Sequence, residues 1–377
     1  MILQCLDIRD NCKGIYHNNK IILDPPKELL KQYTVCWKYS QILDQDEKYT
    51  FLFLILKDEN LCDYSDYPEK LSSVISNLQA QQRAAISAKI DMSEICFFDL
   101  IPTHKLETYF QLTDNALRNL SKTKTISCDY DILHKAHVLT TKISNQKIQY
   151  KNEDKKIYYN IFGSSTGRLT TKSNSFPILN LKKENRLFLK PQNDAFVEFD
   201  FNAAEVRMLL ALSGHPQPRE DIHEYLKAKI FTSDISRSEF KERLFAWLYN
   251  PISEDNIFDS FFDKKTYRDF FTAEGQILKT PFGRRIKVEE RKAQNYLLQS
   301  TTSDQVIENA YEIQKILNNK KSSVAFTLHD SIILDMAKED AIMLRKIKQQ
   351  FEKTRWGDFM STCKIGKNFG SLREMKF

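Results

Sequence analysis

The sequence predicts a mixed α+β fold in which helices pack on an antiparallel sheet, and three observations support this class. Residues 197–200 form a short apolar strand that ends at Asp200, and a helical pattern follows at once. The apolar runs 324–328 and 332–334 flank His329 and Asp330, which is the pattern of a hairpin. Residues 1–100 alternate short apolar runs with polar segments, so a small α/β region precedes the rest.

The composition is that of a globular protein. The 377 residues are enough for two or three domains, and contents of 41% hydrophobic and 28% charged residues exclude a disordered chain. A net charge of +6 permits a nucleic-acid partner without demonstrating one. Seven scattered cysteines, none in a Cys-x-x-Cys pair, predict reduced thiols rather than a zinc site. We expect no signal peptide and no membrane contact, and therefore a cytoplasmic protein.

The elements before residue 157 are predicted from periodicity. Residues 49–56 predict a strand, and residues 71–90 predict a helix. From residue 102 to about residue 156 the pattern is helical and rich in lysine, which by itself indicates a solvated helix face. Glycines, strands and helices mix from residue 157 onward, and the polar motifs lie in that part.

A helix over residues 235–249 is predicted to end at Asn250, because Pro251 cannot continue it. Its side chains divide into an inward face and a stripe at steps of four: the face is Phe240, Leu244, Trp247 and Leu248, and the stripe is Arg237, Lys241, Phe245 and Tyr249. Cations neutralise phosphates and aromatic rings pack on a base or sugar, so the stripe fits a nucleoside triphosphate. An amphipathic helix with a basic face is the structural alternative.

Asp200 and Asp330 are the candidate metal ligands. A carboxylate at a strand end and another at a hairpin turn can together build a two-metal phosphoryl-transfer site. Two are enough for Mg²⁺, because substrate phosphates and water complete its coordination. Asn202-x-x-Glu205, directly after the strand, also fits a capping box, in which Glu205 would only cap the next helix.

Several motifs in a fixed order resemble the family A DNA polymerases, the DNA polymerase I type. The resemblance covers about residues 157–370 and is specific through the joint order of the motifs. The matching segments are Ser165-Thr-Gly-Arg-Leu-Thr-Thr171 with Asn180 after it, Asp200-Phe-Asn-Ala-Ala-Glu-Val-Arg207, Asp221-Ile-His223, Arg237-x3-Lys241-x3-Phe245-x3-Tyr249, Gly283-Arg-Arg285, Arg291-x3-Asn295-x3-Gln299, Leu328-His-Asp330 and Gly366-Lys-Asn-Phe369.

The resemblance implies a right-hand polymerase with palm, fingers and thumb. Residues 161–215 and 276–377 would form the palm with its antiparallel sheet, residues 216–275 shortened fingers, and residues 101–160 a helical thumb-like region. Residues 1–100 would be an N-terminal α/β region, reduced from or unrelated to a proofreading exonuclease. Such an exonuclease needs an Asp-x-Glu strand, and the nearest counterpart is Asp7-Ile-Arg9, so no proofreading is expected.

The resemblance also implies a role for each matching residue. Asp200 and Asp330 would bind two Mg²⁺ ions, or Mn²⁺ in their place, and Lys241 would protonate the leaving pyrophosphate. The dNTP would contact His223, Arg237, Lys241, Phe245, Tyr249 and Glu205. Glu205 would exclude a 2′-hydroxyl. Primer-template DNA would contact Arg168, Asn180, Arg291, Asn295, Gln299 and His329. Arg168, Asn295 and Gln299 would track minor-groove acceptors, which every base pair presents.

The implied function is a template-directed DNA polymerase, expected in a bacterial or phage-infected cell, with a processivity or replisome partner as a further expectation. A single-subunit RNA polymerase is one alternative, against which Glu205 argues. A catalytically inactive primer-template binding protein is another, against which both metal aspartates and Lys241 argue.

The chain departs from the family pattern at several points. Ser331 follows Asp330 where the family has Glu, Asn250 replaces Gly, and Ala203 replaces Gln. The span between Tyr249 and Gly283 is also short. Arg284 and Arg285 could form only a turn and a solvated edge.

Overall fold

The structure is a computed structural model of the 377-residue chain, and it describes residues 2–6, 12–31, 35–38, 49–57, 59–90, 97–231, 235–250, 255–262 and 266–376. The chain divides into two compact units, Met1–Tyr130 and Asp131–Phe377. Both contain helices and strands, so the predicted mixed class is confirmed. The assignment of palm, fingers, thumb and N-terminal region stays a prediction. Asp7 and Arg9 lie outside the described residues.

The first unit combines a three-stranded antiparallel sheet with helices. The Tyr16 ring of the sheet stacks on Phe110 with 5.4 Å between the ring centroids, and both rings are buried. The elements are β1 Leu3–Leu6, β2 Cys12–His17, β3 Lys20–Leu23, α1 Lys27–Lys31, β4 Val35–Cys36, β5 Thr50–Phe51, α2 Leu52–Leu56, α3 Pro68–Ser87 and α4 Thr103–Thr123. The helix predicted over residues 71–90 is confirmed as α3.

The strand predicted over residues 49–56 is wrong for most of its length. Only Thr50–Phe51 is extended, and Leu52–Leu56 form a helix whose Leu52, Leu54 and Leu56 are buried. A short run that is apolar at every position has neither a two-residue nor a 3.6-residue period. Its conformation therefore depends on the packing of the unit around it.

The second unit is built on a five-stranded antiparallel sheet in the order β15-β16-β11-β19-β20. The strands are β6 Ile148–Tyr150, β7 Glu153–Lys155, β8 Tyr159–Asn160, β9 Thr170–Thr171, β10 Leu189–Lys190, β11 Ala195–Phe201, β12 Phe271–Thr272, β13 Ile277–Lys279, β14 Arg285–Lys287, β15 Ser323–Leu328, β16 Ser331–Met336, β17 Lys353–Thr354, β18 Gly357–Asp358, β19 Ser361–Gly366 and β20 Arg373–Glu374. The helices are α5 Tyr130–Ser144, α6 Ala204–Leu212, α7 Ile222–Ile230, α8 Arg237–Tyr249, α9 Asn256–Phe261, α10 Glu290–Ile316 and α11 Leu344–Glu352.

The helical region expected up to residue 156 ends earlier. After α5, strands β6 and β7 form a hairpin whose turn residues Lys151 and Asn152 have φ angles of +52° and +64°. A two-residue hairpin turn of this hand requires positive φ at both positions. The lysine content of this segment carries no information about the turn. The two strands are only three residues long, which is too short for an alternating pattern to be recognised.

The middle strand β11 and the hairpin β15–β16 form the core of the second unit. Phe196, Val197 and Phe199 of β11 are fully buried, as are Ile332, Ile333 and Leu334 of β16. Phe326 of β15 and Phe196 meet edge to face with 5.8 Å between their centroids. Strands β15 and β16 are buried at almost every position and are therefore almost continuously apolar, whereas β11 alternates buried and half-buried residues from Val197 to Phe201.

Candidate active site

Asp200 and Asp330 come together at one end of the five-stranded sheet. Asp200 is the second-last residue of β11 and pairs with Ser331 of β16, the residue that follows Asp330. Asp330 and His329 form the two-residue turn between β15 and β16, in which His329 adopts a φ of +55°. The predicted strand, hairpin and turn are therefore confirmed. The register of the sheet brings the two carboxylates to adjacent strands.

The electrostatics at this sheet end disfavour negative charge. Burial and the neighbouring Asp330 carboxylate raise the pKa of Asp200 to about 7, and burial also raises the pKa of Asp330. Glu198 lies two residues before Asp200 on the same face of β11, and its carboxylate binds Lys364 of β19 at 3.0 Å. Two half-buried carboxylates that repel each other form a site which a cation would stabilise.

The donor set fits Mg²⁺, which prefers carboxylate oxygens completed by phosphates and water. Among the described residues no group of three or more His, Cys, Asp or Glu side chains is arranged to hold a metal ion. Asp200 and Asp330 would therefore share the ions with substrate phosphates. Ser331 is not available as a third ligand, because it is buried and its hydroxyl donates to the Leu328 carbonyl at 2.9 Å.

Helix α8 forms as predicted and buries the expected face. Phe240, Leu244, Trp247 and Leu248 are buried, whereas Lys241 is exposed and Phe245 half-buried. The helix begins with a capping box, in which the Ser236 side chain accepts from the Glu239 amide and the Glu239 side chain accepts from the Ser236 amide. The sequence analysis did not predict this capping box, although the Ser-x-x-Glu pattern indicates one. The Lys241 ammonium lies 5.6 Å from the centroid of the Phe245 ring.

Glu205 connects α6 to α8. Its carboxylate accepts a hydrogen bond from the Tyr249 hydroxyl and forms an ion pair with Arg168 at 2.6 Å. The alternative role as a helix cap is wrong, because the N-cap residue of α6 is Ala203, which has a left-handed conformation, and no side chain caps this helix. Burial raises the pKa of Glu205, although Tyr249 and Arg168 lower it. The carboxylate is thus held between a phenol and a guanidinium.

A cavity of about 190 Å³ is lined by Asp330, though not by Asp200, and we call it the substrate cavity. Seven of the residues predicted for the site line it: Arg168, Glu205, Phe245, Tyr249, Gln299, His329 and Asp330. Ala203, Ala204, Val206, Thr302 and Ser303 complete its wall. Residues from five separate parts of the sequence therefore converge on one space.

The other predicted residues lie outside this wall. Asn180 and Arg291 are exposed, and Arg291 pairs with Glu289 at 2.6 Å. Asn295 is half-buried, and its side-chain amide donates to the Tyr249 carbonyl at 3.3 Å. This hydrogen bond gives a partner to the last carbonyl of α8. These three residues stay predictions as contacts for DNA.

Two predicted triphosphate ligands are engaged elsewhere in the protein. Arg237 pairs with Asp221 at 2.7 Å, and Asp221 also caps α7 by accepting from the His223 and Glu224 amides. His223 is only 3% exposed, and its ring lies edge to face with Phe240 and Phe245. Burial lowers the pKa of His223. A triphosphate would have to displace Asp221 from Arg237 and reach His223 through a change of side-chain position.

Arg207 is a supporting residue that sequence reasoning missed. It is fully buried and donates to three carbonyl oxygens, those of Asn202, Pro218 and Glu220, at 2.9–3.0 Å. These bonds tie the turn after β11 to the segment that leads into Asp221. A cation inside an otherwise apolar helix pattern was the only available signal.

For Arg284, the alternative of a solvated edge is wrong. Arg284 is 7% exposed and forms an ion pair at 2.8 Å with Asp304, which is fully buried, whereas Arg285 is exposed. Its guanidinium lies against Gly167, where a Cβ atom would come within 2.5 Å of it, and Gly167 has a φ of +76°. The buried pair therefore supports the turn that presents Arg168.

Comparison with known proteins gives one type of match. No protein-family model and no curated protein matches the chain. Among solved structures, the chain is similar to the POL domain of Pol1 from M. smegmatis, in complex with DNA primer-template and dNTP. The two share 14% sequence identity and a TM-score of 0.49, over 81% of this chain and 67% of that chain. In the described part of this chain, no helix is both long and apolar enough to cross a membrane.

Proposed function

We propose that the chain is a template-directed DNA polymerase that adds dNTPs to a primer 3′ end by two-metal phosphoryl transfer. The observation that carries this proposal is the placement of Asp200 and Asp330 at one sheet end, beside a cavity lined by Glu205, Phe245 and Tyr249. The order of the family A motifs in the sequence supports the same assignment.

Asp200 and Asp330 would hold the metal ions, since both are half-buried carboxylates whose pKa is raised by their surroundings. When bound, two Mg²⁺ ions supply Lewis-acid activation of the primer 3′-hydroxyl and of the leaving pyrophosphate. Lys241 is exposed on the same stripe of α8 as Phe245, so its ammonium can approach a triphosphate and give a proton to the pyrophosphate.

Glu205 and Tyr249 would select the sugar. Their hydrogen bond closes the cavity wall, and a 2′-hydroxyl placed there would clash or remain unpaired. Arg168, Gln299 and His329 would face the primer-template, because all three line the same cavity. Asn180, Arg291 and Asn295 would extend this contact over the DNA.

Primer extension tests the proposal. The purified chain is given a labelled primer-template, Mg²⁺ and either dNTPs or rNTPs, and full-length product is expected only with dNTPs. Extension with rNTPs at a similar rate would favour the single-subunit RNA polymerase. Tight primer-template binding without product under either condition would favour the inactive binding protein.

We further propose that the enzyme lacks proofreading, on the ground that Arg9 stands where an exonuclease needs a second carboxylate. A primer with a mismatched 3′ end should not be shortened in the presence of Mg²⁺. Hydrolysis that survives Asp200→Asn but disappears on Asp7→Asn would contradict this. A processivity partner and a phage-infected host remain expectations from the sequence.

A further inference from the structure

A row of polar side chains runs along α10 into the substrate cavity. Asn295, Gln299 and Ser303 follow one another at steps of four and therefore lie on neighbouring turns of one face. Asn295 and Gln299 are half-buried, and Ser303 is 8% exposed. The row thus passes from the surface into the interior of the second unit.

Ser303 lies where two cavities meet. A second cavity of about 240 Å³ is lined by Ser164, Leu169, Thr170, Leu179, Val306, Ile307 and Thr327, together with three residues shared with the substrate cavity: Arg168, Ser303 and His329. Two of the shared residues, Arg168 and His329, are already assigned to the primer-template. A ligand that extends from one cavity into the other would lie beside these three shared residues.

The Ser303 hydroxyl has no hydrogen-bond partner among the described residues. Its neighbour Thr301 differs, because the Thr301 hydroxyl donates to the Leu297 carbonyl of its own helix at 2.7 Å. Ser303 lines both cavities, so its hydroxyl can form a hydrogen bond with a ligand that occupies them. The Ser303 hydroxyl is therefore placed to bind a ligand, whereas the Thr301 hydroxyl is used in a hydrogen bond to its own helix.

We propose that the Ser303 hydroxyl donates a hydrogen bond to a minor-groove acceptor near the primer terminus, a purine N3 or a pyrimidine O2. This inference rests on the proposed polymerase function and deepens it. Every base pair presents such an acceptor, so the contact would check pairing geometry without reading sequence. The helical rise from Asn295 to Ser303, eight residue steps, is about 12 Å, which is the length of three to four base-pair steps of about 3.4 Å.

Single-nucleotide extension by Ser303→Ala tests the inference, with Thr301→Val as the matched control on the same helix. The primer-templates contain 3-deazaguanine, which replaces the N3 acceptor by C–H, at the primer terminus, at the next pair or at the template partner. For the unmodified protein, one of these positions should lower kcat/KM about three- to tenfold.

Ser303→Ala should lower kcat/KM by a similar factor on ordinary DNA and should lose nothing further at that one deaza position. Thr301→Val should show the same deaza loss as the unmodified protein. Additive losses for Ser303→Ala at every position, or no loss on ordinary DNA, would overturn the contact while leaving polymerase activity intact. Absence of extension by the unmodified protein on ordinary DNA would instead overturn the proposed function, and the inference with it.

Discussion

The Glu205 carboxylate accepts a hydrogen bond from the Tyr249 hydroxyl, and this contact joins the helix after the Asp200 strand to the last residue of α8. The two residues are far apart in sequence but line the same cavity. The wall that would face the sugar of a nucleotide is therefore made by a pair of residues from two helices.

Glu205→Ala should lower the ratio of kcat/KM for dNTP over rNTP by about 10- to 100-fold, because the pair would no longer exclude a 2′-hydroxyl. Tyr249→Phe should lower it less, since the ring stays in the wall. Tyr267→Phe is the control, because the Tyr267 hydroxyl donates to the Glu290 carboxylate at 2.8 Å and does not line the cavity. An unchanged ratio in Glu205→Ala would show that this carboxylate has no part in sugar selection.

Asp200→Asn and Asp330→Asn should each abolish primer extension and leave the dissociation constant for primer-template within about threefold. Phosphate contacts supply most of the binding energy for DNA, whereas the aspartates hold the metals. Asp335→Asn removes another carboxylate from β16, one that accepts from the Gln192 and Asn193 amides. Asp335→Asn should lower the stability of the protein but retain turnover. Turnover in Asp200→Asn or in Asp330→Asn would refute the assignment of these residues as metal ligands.

The contribution of Asp200 to the stability of the metal-free protein should fall as the pH rises from about 4 to 7. The pKa of Asp200 is raised to about 7, so the folded state binds a proton more tightly than the unfolded state does. The stability gained from the neutral form is complete below the unfolded pKa and is lost by about pH 7, up to about 4 kcal/mol. Urea unfolding in EDTA measures this slope.

In Asp200→Asn, the change of unfolding free energy with pH should lack the contribution of the Asp200 carboxyl. In the unmodified protein, Mg²⁺ should reduce that contribution. A slope that is the same with and without the Asp200 carboxyl would mean that the side chain is well solvated.

Phe245→Tyr should increase incorporation of dideoxynucleotides relative to dNTPs by about 10- to 150-fold. The resemblance to family A implies that this ring lies against the 3′ side of the sugar, where a tyrosine hydroxyl can replace the missing hydrogen bond. Competitive single-nucleotide incorporation measures the ratio. Phe261→Tyr on α9 is the control, and equal ratios in both variants would mean that α8 does not face the nucleotide.

Arg284→Met should lower the free energy of unfolding by about 3–5 kcal/mol, because it leaves the Asp304 carboxylate buried without its cation. Arg285→Met, one residue further along and exposed, should change it by less than about 0.5 kcal/mol. Urea denaturation of both variants gives the comparison. Similar small changes in the two would show that the buried pair does not support the turn at Gly167.

The sequence determined the local elements that have a clear period. The strand at Asp200 and helix α8 repeat apolar residues with the period of their own conformation, and the hairpin is marked by two short apolar runs on either side of His329–Asp330. All three could therefore be predicted without knowledge of their neighbours. The predicted inward face of α8 was confirmed for the same reason. Residues 49–56 and 145–156 have no such period, and there the prediction failed.

Only the tertiary structure decided which side chains meet. The pairing of Asp200 with Ser331 makes the two carboxylates neighbours. The fold also brings Glu205 of α6 to Tyr249 of α8, so that its carboxylate accepts from the tyrosine hydroxyl and does not cap a helix. Burial of Arg207 and Arg284 was equally invisible, because a single arginine has the same local pattern whether it faces solvent or an interior carbonyl or carboxylate. Local conformation follows from periodicity within a few residues, whereas partners and burial depend on contacts between distant segments, which the fold alone creates.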